Sequence, residues 1–172
     1  ENLTTPMWEA VNRFYLRGRS AASESNRVIR QPHSFLEQIK RSANQVMGVS
    51  QATWSRGEAW HFSCLGYYLE RADKTSRVLD VKYFMLLPDP THVGSQVDAV
   101  QWAALLESTS ALQMYRREYG RIEPEKVVDF LILNTRFPRS MRFCVRDAEL
   151  SIRAISGTPL HSFSNSAEQY VA

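Results

Sequence analysis

The feature that most constrains this chain is one long helical pattern in its middle. From about Ser55 to Leu87, apolar and small residues recur every three or four positions, namely Phe62, Leu65, Leu69, Ala72, Ser76, Leu79, Tyr83 and Leu86. Ser55 followed by Glu58 matches a capping box, which marks a helix start. Pro88 and Pro90 then stop the helix. A helix of that span is about 50 Å long, so several other helices must pack along it.

The remaining segments also carry helical patterns. Apolar residues recur at helical spacing, and helix-starting Pro and helix-ending Gly residues bound several of the predicted helices, which cover about 5–18, 34–47, 97–107, 111–119, 123–133 and 138–157. No β-branched run alternates with polar residues for five positions, as a strand would require. The sequence therefore predicts an all-α fold, an antiparallel helical bundle around the long central helix.

The chain of 172 residues fits one domain. Between the first two predicted helices, residues Arg19 to Gln31 are polar and Ser-rich, so we expect a long connection there. Because the sequence starts at Glu1 rather than at a methionine, we also expect it to be part of something longer.

Composition and motifs exclude several classes of function. The net charge of +3 is small and basic residues are interspersed with acidic ones, so nucleic acid is not an expected partner. No apolar run approaches the roughly 20 residues that span a bilayer, and no signal peptide pattern opens the chain, so we expect no membrane association and a cytoplasmic location. The sequence contains no Gly-rich phosphate-binding loop, so no cofactor is expected. Glu58 and His61 form a single Glu-x-x-His pair without the second pair of a di-metal site, so no metal is expected.

Two stripes of ionisable residues are the main candidates for chemistry. One lies on the long helix and the other on the last helix, and they consist of Glu70, Asp73, Arg77 and Asp80, and of Arg139, Arg142, Arg146, Glu149 and Arg153. These residues could be solvated faces or structural ion pairs. Alternatively, they could line a polar groove that accepts an anionic or zwitterionic ligand.

Three stretches of the sequence carry a family resemblance. The longest is Leu65-Gly66-x-Tyr68-Leu69-Glu70-Arg71-Ala72-Asp73-x-Thr75-x-Arg77, and the others run from Asn134 to Cys144 and from Pro6 to Asn12. Together they resemble the alpha-E domain family, bacterial helical proteins named for a Glu-Arg motif, which Glu70 and Arg71 match. The resemblance implies that this chain is the C-terminal half of a two-repeat helical protein.

The resemblance also implies a genomic context. Members of this family are typically encoded beside, or fused to, an ATP-grasp-type ligase and a transglutaminase-like protein. Our first hypothesis is therefore an accessory or scaffold module of a bacterial peptide-synthesis or peptide-modification system, without catalysis of its own. The second is an enzyme or ligand-binding protein with a polar groove centred on Glu70. Its ligand-binding candidates are Glu70, Arg71, Asp73, Arg77, Arg142 and Arg146. The sequence leaves open whether the chain forms a homo-oligomer.

Overall fold

The computed structural model describes residues 3–23, 25–85, 93–159 and 162–171. Within these ranges the chain forms nine α-helices and one π-helical turn, and no strand occurs. The helices are α1 (Thr5–Ser23), α2 (Ser25–Arg30), α3 (Pro32–Thr53), α4 (Glu58–Asp80), α5 (Gln96–Ser108), α6 (Leu112–Tyr119), α7 (Pro124–Leu133), α8 (Met141–Ser156) and α9 (Ser166–Val171), and the π-helical turn covers Val81–Met85. The all-α prediction is confirmed. None of the helices in these ranges is both long and apolar enough to cross a membrane.

The chain divides into two compact units, an N-terminal unit (Glu1–Trp60) and a C-terminal unit (His61–Ala172). In the N-terminal unit, α1 packs antiparallel to α3. The hydroxyl groups of Thr4 and Thr53 lie 2.7 Å apart at one end of the pair. Farther along, Arg17 Nη1 donates to Ser42 Oγ at 2.8 Å. This pairing buries Met7.

The predicted connection between Arg19 and Gln31 is largely helical instead. Helix α1 continues past Gly18 to Ser23, and α2 covers Ser25–Arg30. A glycine inside a helix costs only about 1 kcal/mol relative to alanine, and Arg, Ala and Ser residues are compatible with a helix. A polar composition was therefore not sufficient to predict irregular structure.

The predicted capping box at the start of the long helix is wrong. Helix α4 begins at Glu58 itself, three residues after Ser55. The side chain of Arg56 packs over the Trp60 ring, 3.7 Å from the ring centre, and its Nη2 donates to the Gln51 carbonyl at 2.8 Å. These contacts hold residues 54–57 in a non-helical link. At the other end, α4 changes into the π-helical turn, and the predicted end at Leu87 lies outside the described residues.

The core of the C-terminal unit is built by α5, α6 and α7 around aromatic rings, with Leu79 of α4 packed into it. Tyr115 and Phe130 are fully buried and meet edge to face, with ring centres 5.7 Å apart. The Tyr115 hydroxyl donates to the Arg121 carbonyl at 3.0 Å and accepts from the Glu123 backbone N–H at 3.1 Å. These hydrogen bonds satisfy the buried hydroxyl and fix the link between α6 and α7.

Helices α5 to α7 lie within a residue or two of their predicted bounds, whereas the last helices differ more. Helix α8 begins at Met141 rather than at Pro138, because Ser140 is its N-cap and accepts the Phe143 N–H at 3.1 Å. It ends at Gly157, as predicted, with a left-handed φ of 72°. Thr158 and Pro159 lie outside helix, and α9 begins at Ser166.

A buried ion pair joins the π-helical turn to α5. Lys82 and Asp98 have side chains 0% and 2% exposed, and Lys82 Nζ donates to Asp98 Oδ1 at 2.6 Å and to Gln101 Oε1 at 2.9 Å. The other carboxylate oxygen accepts the Gly94 N–H at 2.9 Å. Burial raises the pKa of Asp98, but the hydrogen bonds from Lys82 and Gly94 outweigh burial and leave the pKa below its usual value.

The substitution Lys82→Met should be strongly destabilising, because it leaves a buried carboxylate without its counter-charge. We expect a loss of about 3–5 kcal/mol in the free energy of unfolding, measured by urea denaturation. The control is Lys126→Met, which removes a half-exposed lysine paired with Glu123, and should change that free energy by less than about 1 kcal/mol. Equal effects of the two substitutions would contradict this account.

Candidate functional site

The acidic stripe predicted on the long helix lies on the solvent-exposed face of α4. The Glu70 side chain is 73% exposed, and its closest charged partner is Lys74, with 3.7 Å between Oε1 and Nζ. Asp73 accepts a hydrogen bond from Arg77 Nε at 2.8 Å, one helical turn later. That hydrogen bond lowers the pKa of Asp73 below its usual value and raises that of Arg77. These three candidates form an exposed strip of charges along one helix.

Arg71 lies on a different side of α4 and contacts the segment that precedes α8. Its Nη1 donates to the Pro138 carbonyl at 3.1 Å. One turn later, the buried Thr75 hydroxyl contacts the Arg139 carbonyl at 2.8 Å. The guanidinium group also packs against the Tyr67 ring, 4.2 Å from the ring centre. We call this arrangement of Arg71 and Thr75 against residues 138 and 139 the carbonyl clamp.

The environment of the carbonyl clamp changes the titration of nearby groups. Burial, and then the positive charge of Arg139, lowers the pKa of Arg71. Burial also raises the pKa of the Cys144 thiol, whose sulfur lies 3.5 Å from the Pro138 carbonyl oxygen. A thiol in this state is a poor nucleophile, because the thiolate is the reactive form.

A tyrosine extends the same contact between α4 and α8. Tyr68 shares a face of α4 with Arg71 and Thr75, and its ring centre lies 6.3 Å from that of Phe143. Burial, and then the charge and hydrogen bond of Asp147, raises the pKa of Tyr68 to about 12. The phenol is therefore held in its neutral form and joins α4 to the middle of α8.

The loop before α8 is ordered by its own polar side chains. Asn134 Oδ1 accepts the backbone N–H groups of Arg136 and Phe137, both at 2.8 Å. The buried Ser140 hydroxyl donates to the Asn134 carbonyl. The loop thus presents the carbonyl groups of residues 138 and 139 to α4 in a fixed conformation.

The basic stripe of α8 forms its ion pairs within its own helix. Arg146 pairs with Asp147 at 2.8 Å and Arg153 with Glu149 at 2.7 Å, while Arg142 is exposed and has no ion pair within the described ranges. Within the described residues, α4 contacts α8 through Tyr68, which meets Phe143 and Asp147. It contacts residues 138 and 139, before α8, through hydrogen bonds to their carbonyl groups.

Sequence reasoning missed a buried carboxylate at the C-terminal end. Glu168 of α9 is fully buried and accepts the Ser164 N–H at 2.7 Å and contacts the Ser164 hydroxyl at 3.0 Å. Hydrogen bonds from the hydroxyl groups of Ser156, Thr158 and Ser164, together with the Ser164 N–H, lower its pKa to about 2. The signal was present, because Asn165-x-x-Glu168 is a capping-box pattern and Asn165 Oδ1 accepts the Glu168 N–H.

No group of three or more His, Cys, Asp or Glu residues in the described part of the chain is arranged to hold a metal ion. Glu58, half of the Glu-x-x-His pair, is exposed at the first turn of α4.

Comparison with known proteins identifies the family. The family Alpha-E, described as a predicted alpha-helical domain with a conserved ER motif, matches residues 1–172. The chain therefore belongs to the Alpha-E family. No curated protein and no solved structure matches the chain.

The two residues of the Glu-Arg motif should differ in their effect on stability. Arg71→Ala removes a charged donor to the Pro138 carbonyl and should lower the free energy of unfolding by about 1–3 kcal/mol. Glu70→Ala removes an exposed side chain from the neighbouring position and should change it by less than about 0.5 kcal/mol. Urea denaturation followed by circular dichroism measures both, and a larger loss for Glu70→Ala would refute the assignment.

Proposed function

We propose that this Alpha-E family chain is an accessory module without catalytic activity, which docks onto an ATP-grasp-type ligase or a transglutaminase-like protein in a peptide-synthesis or peptide-modification system. One observation carries the proposal. The two residues of the Glu-Arg motif face different surroundings, Arg71 in the carbonyl clamp and Glu70 in solvent. A catalytic pair would have to converge on one substrate atom.

The exposed side of α4 offers a docking surface. Phe62 is 55% exposed and Leu69 is 43% exposed, and the two lie seven residues apart, which is two helical turns. Between them, Gly66 leaves open space, since a side chain added there would meet nothing within 4 Å. We call this surface, with Glu70, Asp73 and Arg77 along its continuation, the outer face of α4.

Such a composition is suited to recognition by another protein. Exposed phenylalanine and leucine side chains gain free energy when a partner buries them. Charges beside an apolar centre contribute to orientation and partner choice more than to affinity. A helix with anchors spaced at whole turns fits a groove on a partner protein. These features support docking through the outer face of α4.

The geometry around Glu70 gives less support to the alternative, an enzyme or ligand-binding groove centred on this residue. A ligand site is concave and surrounds its polar groups with other side chains. The Glu70 side chain is instead 73% exposed, and its ion pair with Lys74 lies along the outside of the same helix.

The docking proposal predicts a selective loss of binding. The double variant Phe62→Asp/Leu69→Asp places charges on the outer face, and we expect it to retain about tenfold less of the proposed partner, an ATP-grasp-type ligase or a transglutaminase-like protein. The control is Leu150→Asp, which puts one such charge on a leucine of α8 that is 49% exposed.

Size-exclusion co-elution and biolayer interferometry with each purified partner would measure the retention. The proposal fails if the unmodified chain binds neither partner at micromolar concentration. Equal binding by the double variant and the unmodified chain would also overturn it, and so would an equal loss with Leu150→Asp.

A further inference from the structure

The N-terminal unit contains a cavity that the docking proposal does not use. It lies among α1, α2 and α3 and has a volume of about 170 Å³. For comparison, an engineered cavity of about 150 Å³ holds a benzene molecule. The space is therefore large enough for one aromatic or branched aliphatic side chain.

The floor and the rim of the cavity differ in chemistry. The floor is apolar and half-buried, and it includes Ala21, Val28, Phe35 and Ile39. The rim is polar and exposed, and it includes Gln31, Ser34 and Gln38. An amphiphilic ligand would place its apolar group on the floor and its polar groups at the rim.

Arg17 supplies the only charge among the described residues that line the cavity. Its Nη1 donates to Ser42 Oγ at 2.8 Å, and the buried Ser42 hydroxyl donates in turn to the Gln38 carbonyl at 2.9 Å. No carboxylate in the described ranges forms an ion pair with Arg17. The guanidinium group is thus held in place by one hydrogen bond and keeps further N–H donors for a ligand.

These features restrict the charge of the ligand. A guanidinium group binds a carboxylate in a planar, two-point arrangement. The rim side chains of Gln31, Ser34 and Gln38 are polar and neutral, which suits an uncharged amide nitrogen in the ligand. An amide N–H can donate to the side-chain oxygen of Gln31 or Gln38.

We propose that this cavity binds the C-terminal end of a peptide, or a free N-acylated amino acid, with an apolar last residue. The carboxylate binds Arg17, the amide contacts the rim glutamines and the side chain fills the floor. This binding is separate from docking through α4, since the two surfaces share no residue.

Isothermal titration calorimetry tests the ligand chemistry with N-acetyl-phenylalanine as the probe. We expect saturable binding, weakened about tenfold or more for the neutral N-acetyl-phenylalaninamide and for free phenylalanine, which carries an ammonium group. A tripeptide ending in phenylalanine, compared with N-acetyl-phenylalanine, distinguishes a peptide end from a free acylated amino acid. Absence of binding, or equal affinity for the acid and the amide, would overturn the proposal.

Variants test the location of binding. Arg17→Gln should abolish the preference for the acid over the amide, whereas Arg13→Gln, on the same helix but outside the cavity lining, should preserve it. Because Arg17 also contacts Ser42, a second variant retains the Arg17 side chain. Ala21→Leu fills the floor of the cavity and should abolish binding while the melting temperature is maintained. Unchanged binding in Ala21→Leu would show that the ligand binds elsewhere.

Discussion

The backbone carbonyl groups of Pro138 and Arg139 lie just outside the start of α8, and each of them accepts a side-chain hydrogen bond from α4. Arg71 reaches the first carbonyl and Thr75 the second. Because a hydrogen bond from a charged donor contributes about 1.5–3 kcal/mol, the Arg71 contact helps to fix where α8 begins relative to α4. The Tyr68–Asp147 contact farther along α8 depends on that placement. The carbonyl clamp also brings together two of the three sequence stretches that carry the family resemblance, 65–77 and 134–144.

The sequence predicted the helices better than their ends. The pattern Ser-x-x-Glu at Ser55 predicted a start that the stacking of Arg56 on Trp60 displaces, whereas the less conspicuous pattern at Asn165 is a true cap. Both patterns are local. Whether each one forms a helix cap depends on nearby side-chain contacts that the pattern itself does not show. The same limit explains the connection predicted after Gly18, where the polar composition concealed a helix.

Helical patterns in the sequence did not predict contacts between residues that are far apart along the chain. Lys82 and Asp98 are 16 positions apart and form a buried ion pair, yet each looks like an ordinary charge on a helix surface in the sequence. For the candidate site, the spacing placed Glu70, Asp73 and Arg77 correctly on one side of the long helix. It did not reveal that Arg71 donates to the Pro138 carbonyl group rather than to a carboxylate. Helical periodicity shows which residues share a face, but the partner of that face is set by tertiary packing.

Helix α4 therefore has two different faces. One contacts the segment before α8 through Arg71, and the other exposes Phe62, Leu69 and Glu70 and is the face that we propose for docking. Hydrogen–deuterium exchange of the variant Arg71→Ala, measured residue by residue, tests this division most directly. We expect faster exchange at the Phe143 and Cys144 amides in the first turn of α8, with unchanged exchange in α3 of the N-terminal unit. Unchanged exchange at these two amides, or an equal increase throughout the chain, would contradict it.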